Sequence, residues 1–110
     1  MSTSDYMLNN VLSSITKGLN NAIEYILIEL ANDPNKKDDL SIWNLIDNCK
    51  FIIDTIDSIV KMRLLNNYAP ISNQVKSNLN NILNNLFIKL TDVYSELAIS
   101  LSKIIQLLAL

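Results

Sequence analysis

The chain has 110 residues, of which 49% are apolar and 18% charged, and eleven acids against nine bases leave a net charge of −2. That length closes a single core in one domain, residues 1–110, and the apolar content excludes a disordered chain. One glycine (Gly18) and two prolines (Pro34, Pro70) leave few places to turn, which excludes the turn-rich β and α/β classes and predicts an all-α fold.

The first helix is predicted from about Asp5 to Ala31, with Ser4 as the N-cap whose hydroxyl accepts from a backbone N–H. Its inner row is Leu8, Leu12, Ile15, Leu19, Ala22 and Ile26, widened by Val11, Ile23, Leu27 and Leu30. Gly18 falls near the polar side and weakens the helix by roughly 1 kcal/mol relative to Ala, without breaking the phase of the row. Asn32 to Asp39 contains turn residues and no apolar side chain, and reads as a solvated loop.

The second helix is predicted over 42–65 with Ser41 as N-cap. Its row is Ile42, Leu45, Cys49, Ile52, Ile56 and Ile59, flanked by Ile46, Ile53 and Val60. Cys49 lies in that row and reads as a small buried hydrophobe, because a reactive thiol needs exposure and a nearby cation. Residues 66–71 form the second turn, where Pro70 biases Ala69 away from helical angles and Ser72 caps the last helix.

From Ser72 the chain runs without Gly or Pro, and Val75, Leu79, Ile82, Leu86, Leu90, Val93, Leu97, Leu101, Ile104 and Leu108 recur in steps of 4, 3 and 4. An eleven-residue repeat corresponds to about 3.67 residues per turn, so the row stays on one side of a straight helix. This predicts one helix over 73–108 and an antiparallel three-helix bundle with coiled-coil-like packing. At about 1.5 Å per residue the last helix would project beyond the other two by more than about 10 Å. The alternative is a break near Lys89–Asp92 that yields a four-helix bundle, and the unbroken phase favours projection. Asn80, Asn81, Asn84 and Asn85 sit together opposite the row and are poor helix formers, so burial has to hold this stretch. Asn, Ile and Lys are all favoured by AT-rich codons, which points to a viral, plasmid, archaeal or bacterial source of that kind.

The chemistry is defined by the residues the chain lacks. Without histidine there is no Ser-His-Asp or Cys-His arrangement, no imidazole metal ligand and no Glu-x-x-His di-iron motif. One glycine makes no phosphate-cradling loop. The expectation is a non-enzymatic protein with no cofactor and no metal. Asp47, Asp54 and Asp57 could present carboxylates to Mg²⁺, but read better as a solvated face in which Asp57 pairs with Lys61. Lys61, Arg63 and Lys76, with Tyr68 to stack on a base, form a weak nucleic-acid candidate, and cations at a helix C-terminus also complement its dipole.

Apolar residues on the outer faces carry the main functional signal. Ile88, Ile99 and Leu110 lie opposite the main row at eleven-residue spacing, and Phe51 and Met62 repeat that spacing on the second helix. Ile28 and Tyr25 add to them on the first helix, and Leu107 lies within an apolar C-terminal run. These residues imply a second buried surface, formed in a homodimer or against another protein. The expected function is therefore protein–protein interaction or self-assembly. The alternatives are a nucleic-acid accessory protein for replication or regulation, disfavoured by the acidic balance, and a peripheral membrane protein anchored through Leu97–Leu110. The N-terminus lacks a signal-peptide pattern and no stretch of about 20 residues is free of charge, so a cytoplasmic protein is expected, in the host cytoplasm if viral.

Overall fold

The computed structural model describes the backbone of residues 3–65 and 71–110 and the side chains of residues 6–64 and 71–110. Four helices appear in chain order: α1 Thr3–Asn32, α2 Leu40–Leu65, α3 Asn73–Leu90 and α4 Ser95–Leu108. A short 3₁₀ turn, Pro34–Asp38, joins α1 to α2. No strand occurs among the described residues.

The helix ends follow local chemistry. Helix α1 already includes Thr3, so Ser4 lies inside it instead of capping it. Asp33 caps the 3₁₀ turn by accepting from the Asn35 N–H at 3.1 Å, with Pro34 in the first position, where its missing N–H costs nothing. The predicted loop is thus a structured turn, tied to α1 by an ion pair between Lys36 and Glu29 that also raises the Lys36 pKa. The Asp39 carbonyl accepts from the Ile42 and Trp43 N–H groups, both at 3.1 Å. Helix α2 therefore starts at Leu40, and Ser41 lies in its first turn. Ser72 caps α3 as expected, accepting from the Val75 N–H at 3.3 Å.

Of the two arrangements expected, the structure takes the four-helix alternative with a break near Lys89–Asp92, and not the single projecting helix over 73–108. The chain breaks after Leu90 and α4 turns back to pack along α3. No Gly or Pro is needed for this. Thr91, Asp92, Val93, Tyr94 and Ser95 all come from the weaker half of the helix-propensity ranking. The Thr91 hydroxyl donates back to the Phe87 carbonyl at 2.6 Å, and the N–H groups of Val93 and Tyr94 share the Leu90 carbonyl. The eleven-residue phase survives because both halves of the row face one core. Val75, Leu79, Leu86 and Leu90 are buried on one side of the turn, and Leu97, Leu101, Ile104 and Leu108 on the other. Unbent, the second half would project into water. Folding back buries it.

The helices occupy the corners of a square. Helix α1 packs on α2 and α3, and α4 packs on α2 and α3, so the consecutive helices α2 and α3 sit at diagonal corners. Neighbours α1 and α3 run parallel, with Asn9 and Leu12 beside Val75 and Asn78 at one end and Glu24 beside Lys89 nearer the other. The bundle measures 47 × 22 × 19 Å, its long axis matching the 30-residue α1.

Because each helix touches two neighbours, its buried line is rotated from the predicted one. Thr16 and Ile23 replace Ile15 and Ala22 at the centre of α1, and Val11 turns outward. Leu83 replaces Ile82 on α3. The Thr16 hydroxyl donates to the Leu12 carbonyl at 2.7 Å, which satisfies it within its own helix. Cys49 is fully buried, and burial pushes its thiol pKa up to about 11.

Candidate interaction surfaces

Most charged side chains of the two long helices turn to two faces, while Glu29 of α1, paired with Lys36, and Arg63 of α2 stand apart from them. On α2, Asp54, Asp57 and Lys61 line an open groove of about 590 Å³ against α4, facing Lys103 across a floor that includes Ile53 and Leu107. Lys50 reaches the Glu96 carboxylate at 3.6 Å on the same side, and the 3- and 4-residue spacing puts Asp47 there too. On α1, Lys17 lines the groove against α3, and Glu24 meets Lys89 at 3.1 Å. Lys89 also donates to the Asn20 side chain at 3.0 Å. Its hydrogen bond holds the Glu24 carboxyl below the usual carboxylate range, with Asn20 adding to the effect.

The carboxylates weighed as a metal site are thus interleaved with lysines. Asp57 pairs with Lys61 at 2.9 Å, and no group of three or more His, Cys, Asp or Glu converges among the described residues. The basic candidates are dispersed. Lys61 faces α4 from α2, Arg63 is half-buried in the last turn of α2, and Lys76 is half-buried in the first turn of α3. Since α2 and α3 are diagonal, the two helices that carry these cations do not pack on each other. Tyr68 lies outside the described residues.

Neither a protein family, nor a curated protein, nor a solved structure matches the chain. Its function has to be argued from its own surfaces.

The outer apolar residues are placed as follows. Phe51 and Met62 are exposed on α2, Ile88 on α3, and Ile99 and Leu110 on α4 and its end, while Leu107 is half-buried in the α2/α4 groove. Because the chain breaks after Leu90, Ile88 and Ile99 no longer belong to one continuous row. The apolar side of the predicted membrane anchor is occupied by the core, with Leu97, Leu101, Ile104 and Leu108 buried. No helix among the described residues is long and apolar enough to cross a membrane.

Two features emerge only with the fold. At the α3–α4 turn, the Tyr94 hydroxyl is buried without a hydrogen-bond partner among the described residues, beside a cleft of about 230 Å³ that is also lined by Trp43 and Lys37. Lys37 stands 5.9 Å from the centre of the Tyr94 ring. Burial, and then Asp38, raise the tyrosine pKa.

The second feature is a pair of uncharged lines on the outer side of α1 and α2, with the Glu29–Lys36 ion pair beside Tyr25 at one end. Met7, Val11, Ser14, Gly18, Asn21, Tyr25 and Ile28 succeed one another in steps of 4 and 3 on the outer side of α1, and all are exposed. Asn44, Asn48, Phe51, Thr55 and Met62 form the matching outer line of α2, away from its α4 side. Neither line contains a carboxylate, lysine or arginine. The heptad-like spacing on α1 was the available signal. It was hidden because Val11 also fits the predicted inner stripe, and because Ser14, Gly18 and Asn21 interrupt the apolar residues.

Proposed function

We propose that this chain is a non-enzymatic helical-bundle protein that acts through contact with protein surfaces, and first of all through self-assembly into a homodimer in the cytoplasm. The observation that supports this reading is that the chain closes its own core and still leaves twelve large apolar side chains exposed among the described residues. Scattered exposed hydrophobes are ordinary. Here Phe51 is 73% exposed and Ile88 71%, and both stand on regular helices where nothing in the fold requires an apolar side chain. Dispersal of the candidate cations weighs against nucleic acid as the primary partner.

Sedimentation velocity from low to high micromolar concentration tests the reading. A concentration-dependent shift to dimer is expected. A monomer throughout that range overturns self-assembly.

A further inference from the structure

We infer that the uncharged face of α1 and α2 is the homodimer interface, and that two copies of α1 cross antiparallel with Gly18 at the two-fold axis. This rests on the self-assembly reading and adds to it which face is used and in which orientation.

The first observation is Gly18 itself. It is exposed in the middle of a 30-residue helix, and a Cβ built there meets nothing within 4 Å. No positive backbone angle or close approach within the monomer calls for glycine, although glycine weakens a helix interior. A second helix crossing over this point would use the missing side chain, because it lets the two backbones come close.

The second observation is symmetry. Val11 and Tyr25 each lie seven residues from Gly18 (18 − 11 and 25 − 18), while Met7 and Ile28 lie eleven and ten residues away. An isologous pair must place residue i on j and j on i. Turning α1 end over end about Gly18 sets Val11 on the partner's Tyr25 and Met7 on the partner's Glu29, next to the partner's Ile28. Ser14 and Asn21 flank the crossing, where small and polar side chains fit between close backbones. The same operation brings the outer lines of the two α2 helices together, including Phe51 and Met62.

Charge and area point to a second copy as the occupant. The two lines themselves carry no carboxylate, lysine or arginine, and the charges beside Tyr25, Glu29 and Lys36, are paired with each other, so self-pairing brings a matched ion pair and no lone charge to the end of each α1 line. From Met7 to Ile28 it is about 32 Å long at 1.5 Å per residue. With the 22 × 19 Å cross-section of the bundle, the flat side offers roughly 600 Å² per protomer, or about 1,200 Å² in all, the lower bound for a stable interface.

The test combines a steric block, a charge exchange and a cross-link, each read by sedimentation velocity and circular dichroism on the full chain. Gly18→Leu is expected to abolish the dimer with helicity intact. Val11→Glu and Tyr25→Lys should each weaken it by about a hundredfold or more, since each buries an unpaired charge. Mixing these two variants should restore a dimer, because antiparallel pairing sets the carboxylate introduced at position 11 of one copy against the ammonium introduced at position 25 of the other. Gly18→Cys should form an intermolecular disulfide on mild oxidation, with buried Cys49 unreactive. Ile99→Glu, on the outer side of α4, should leave the dimer unchanged. A wild-type dimer that is indifferent to Gly18→Leu, or that responds to Ile99→Glu instead, overturns this interface and leaves self-assembly standing. Failure of the mixture to recover, with both single variants folded, overturns the antiparallel orientation. A monomeric wild type overturns self-assembly and this interface together.

Discussion

Replacing Thr91 and Asp92 by alanine sets helix propensity against burial at the α3–α4 turn. Both side chains are exposed, so the double substitution removes no packing. It raises the intrinsic preference for a continuous helix by up to about 0.7 kcal/mol per position, or about 1.4 kcal/mol in total. Straightening the chain would expose Leu97, Leu101, Ile104 and Leu108, each at most 7% exposed in the bundle. At about 1.5–3 kcal/mol per side chain, that costs roughly 6–12 kcal/mol. Burial wins by a factor of about four or more, and the turn should persist in the variant. Spin labels on cysteines placed at Ser77 and Gln106, both exposed, report the outcome by pulsed electron resonance. In a continuous helix those positions would be about 44 Å apart at 1.5 Å per residue. Folded back, they lie on adjacent helices whose axes pack about 8–10 Å apart, and the label separation should remain below about 25 Å. A distribution centred near the extended distance would refute the claim that burial, and not the local sequence, bends the chain.

Three further outcomes are expected in other parts of the bundle. Gly18→Ala, measured at a concentration where the chain is monomeric, should gain about 1 kcal/mol and raise Tm by roughly 4 °C, because its Cβ meets no neighbour; a loss of stability would mean that the monomer needs glycine there. Cys49 should resist alkylation at pH 8 until the protein unfolds, since its thiol is buried with a pKa of about 11. Its folded pKa lies above the ordinary value, so the folded state holds the proton longer and stability should fall as pH rises from about 9 to 11. Urea titrations across that window should show a weaker decline in Cys49→Ala than in the wild type, and equal slopes would contradict the assignment. Lys89→Ala should let the Glu24 carboxyl titrate at a higher pH, back towards its ordinary range, followed by NMR; an unmoved titration would mean that Lys89 is not the group that holds it down.

Much of the fold was legible because helix ends and apolar periods are local. Ser72 and the run beyond it were readable from cap chemistry, and α3 begins at Asn73 as expected. Cys49 was readable from its place in the row of α2. The break near Lys89–Asp92 was legible only as the less favoured alternative, for a specific reason. The usual stop signals are Gly and Pro, and Thr91–Ser95 contains neither. Phase could not reveal it either, since an antiparallel hairpin that keeps both arms on one core preserves the period that a straight helix would show. The decisive quantity was the area that Leu97–Leu108 would leave uncovered, which depends on where α2 and α3 stand.

The same limit governs the surface. Exposure of Phe51, Met62, Ile88, Ile99 and Leu110 could be read helix by helix, but their grouping could not. Grouping depends on which flank of each helix faces a neighbour, and here the charges reveal it after the fact. Lys17 and Glu24 turn from α1 towards α3, while Asp54, Asp57 and Lys61 turn from α2 towards α4. The lines on the outer side of both helices are thereby left without charge, although Glu29, paired with Lys36, stands beside Tyr25 at one end. A monomer with no use for that side would be expected to carry charges there as well, since solvated charge guards against association. The grouping of most charges on the other faces, together with an open Gly18 at the middle of the uncharged line of α1, is the pattern from which the proposed assembly is argued.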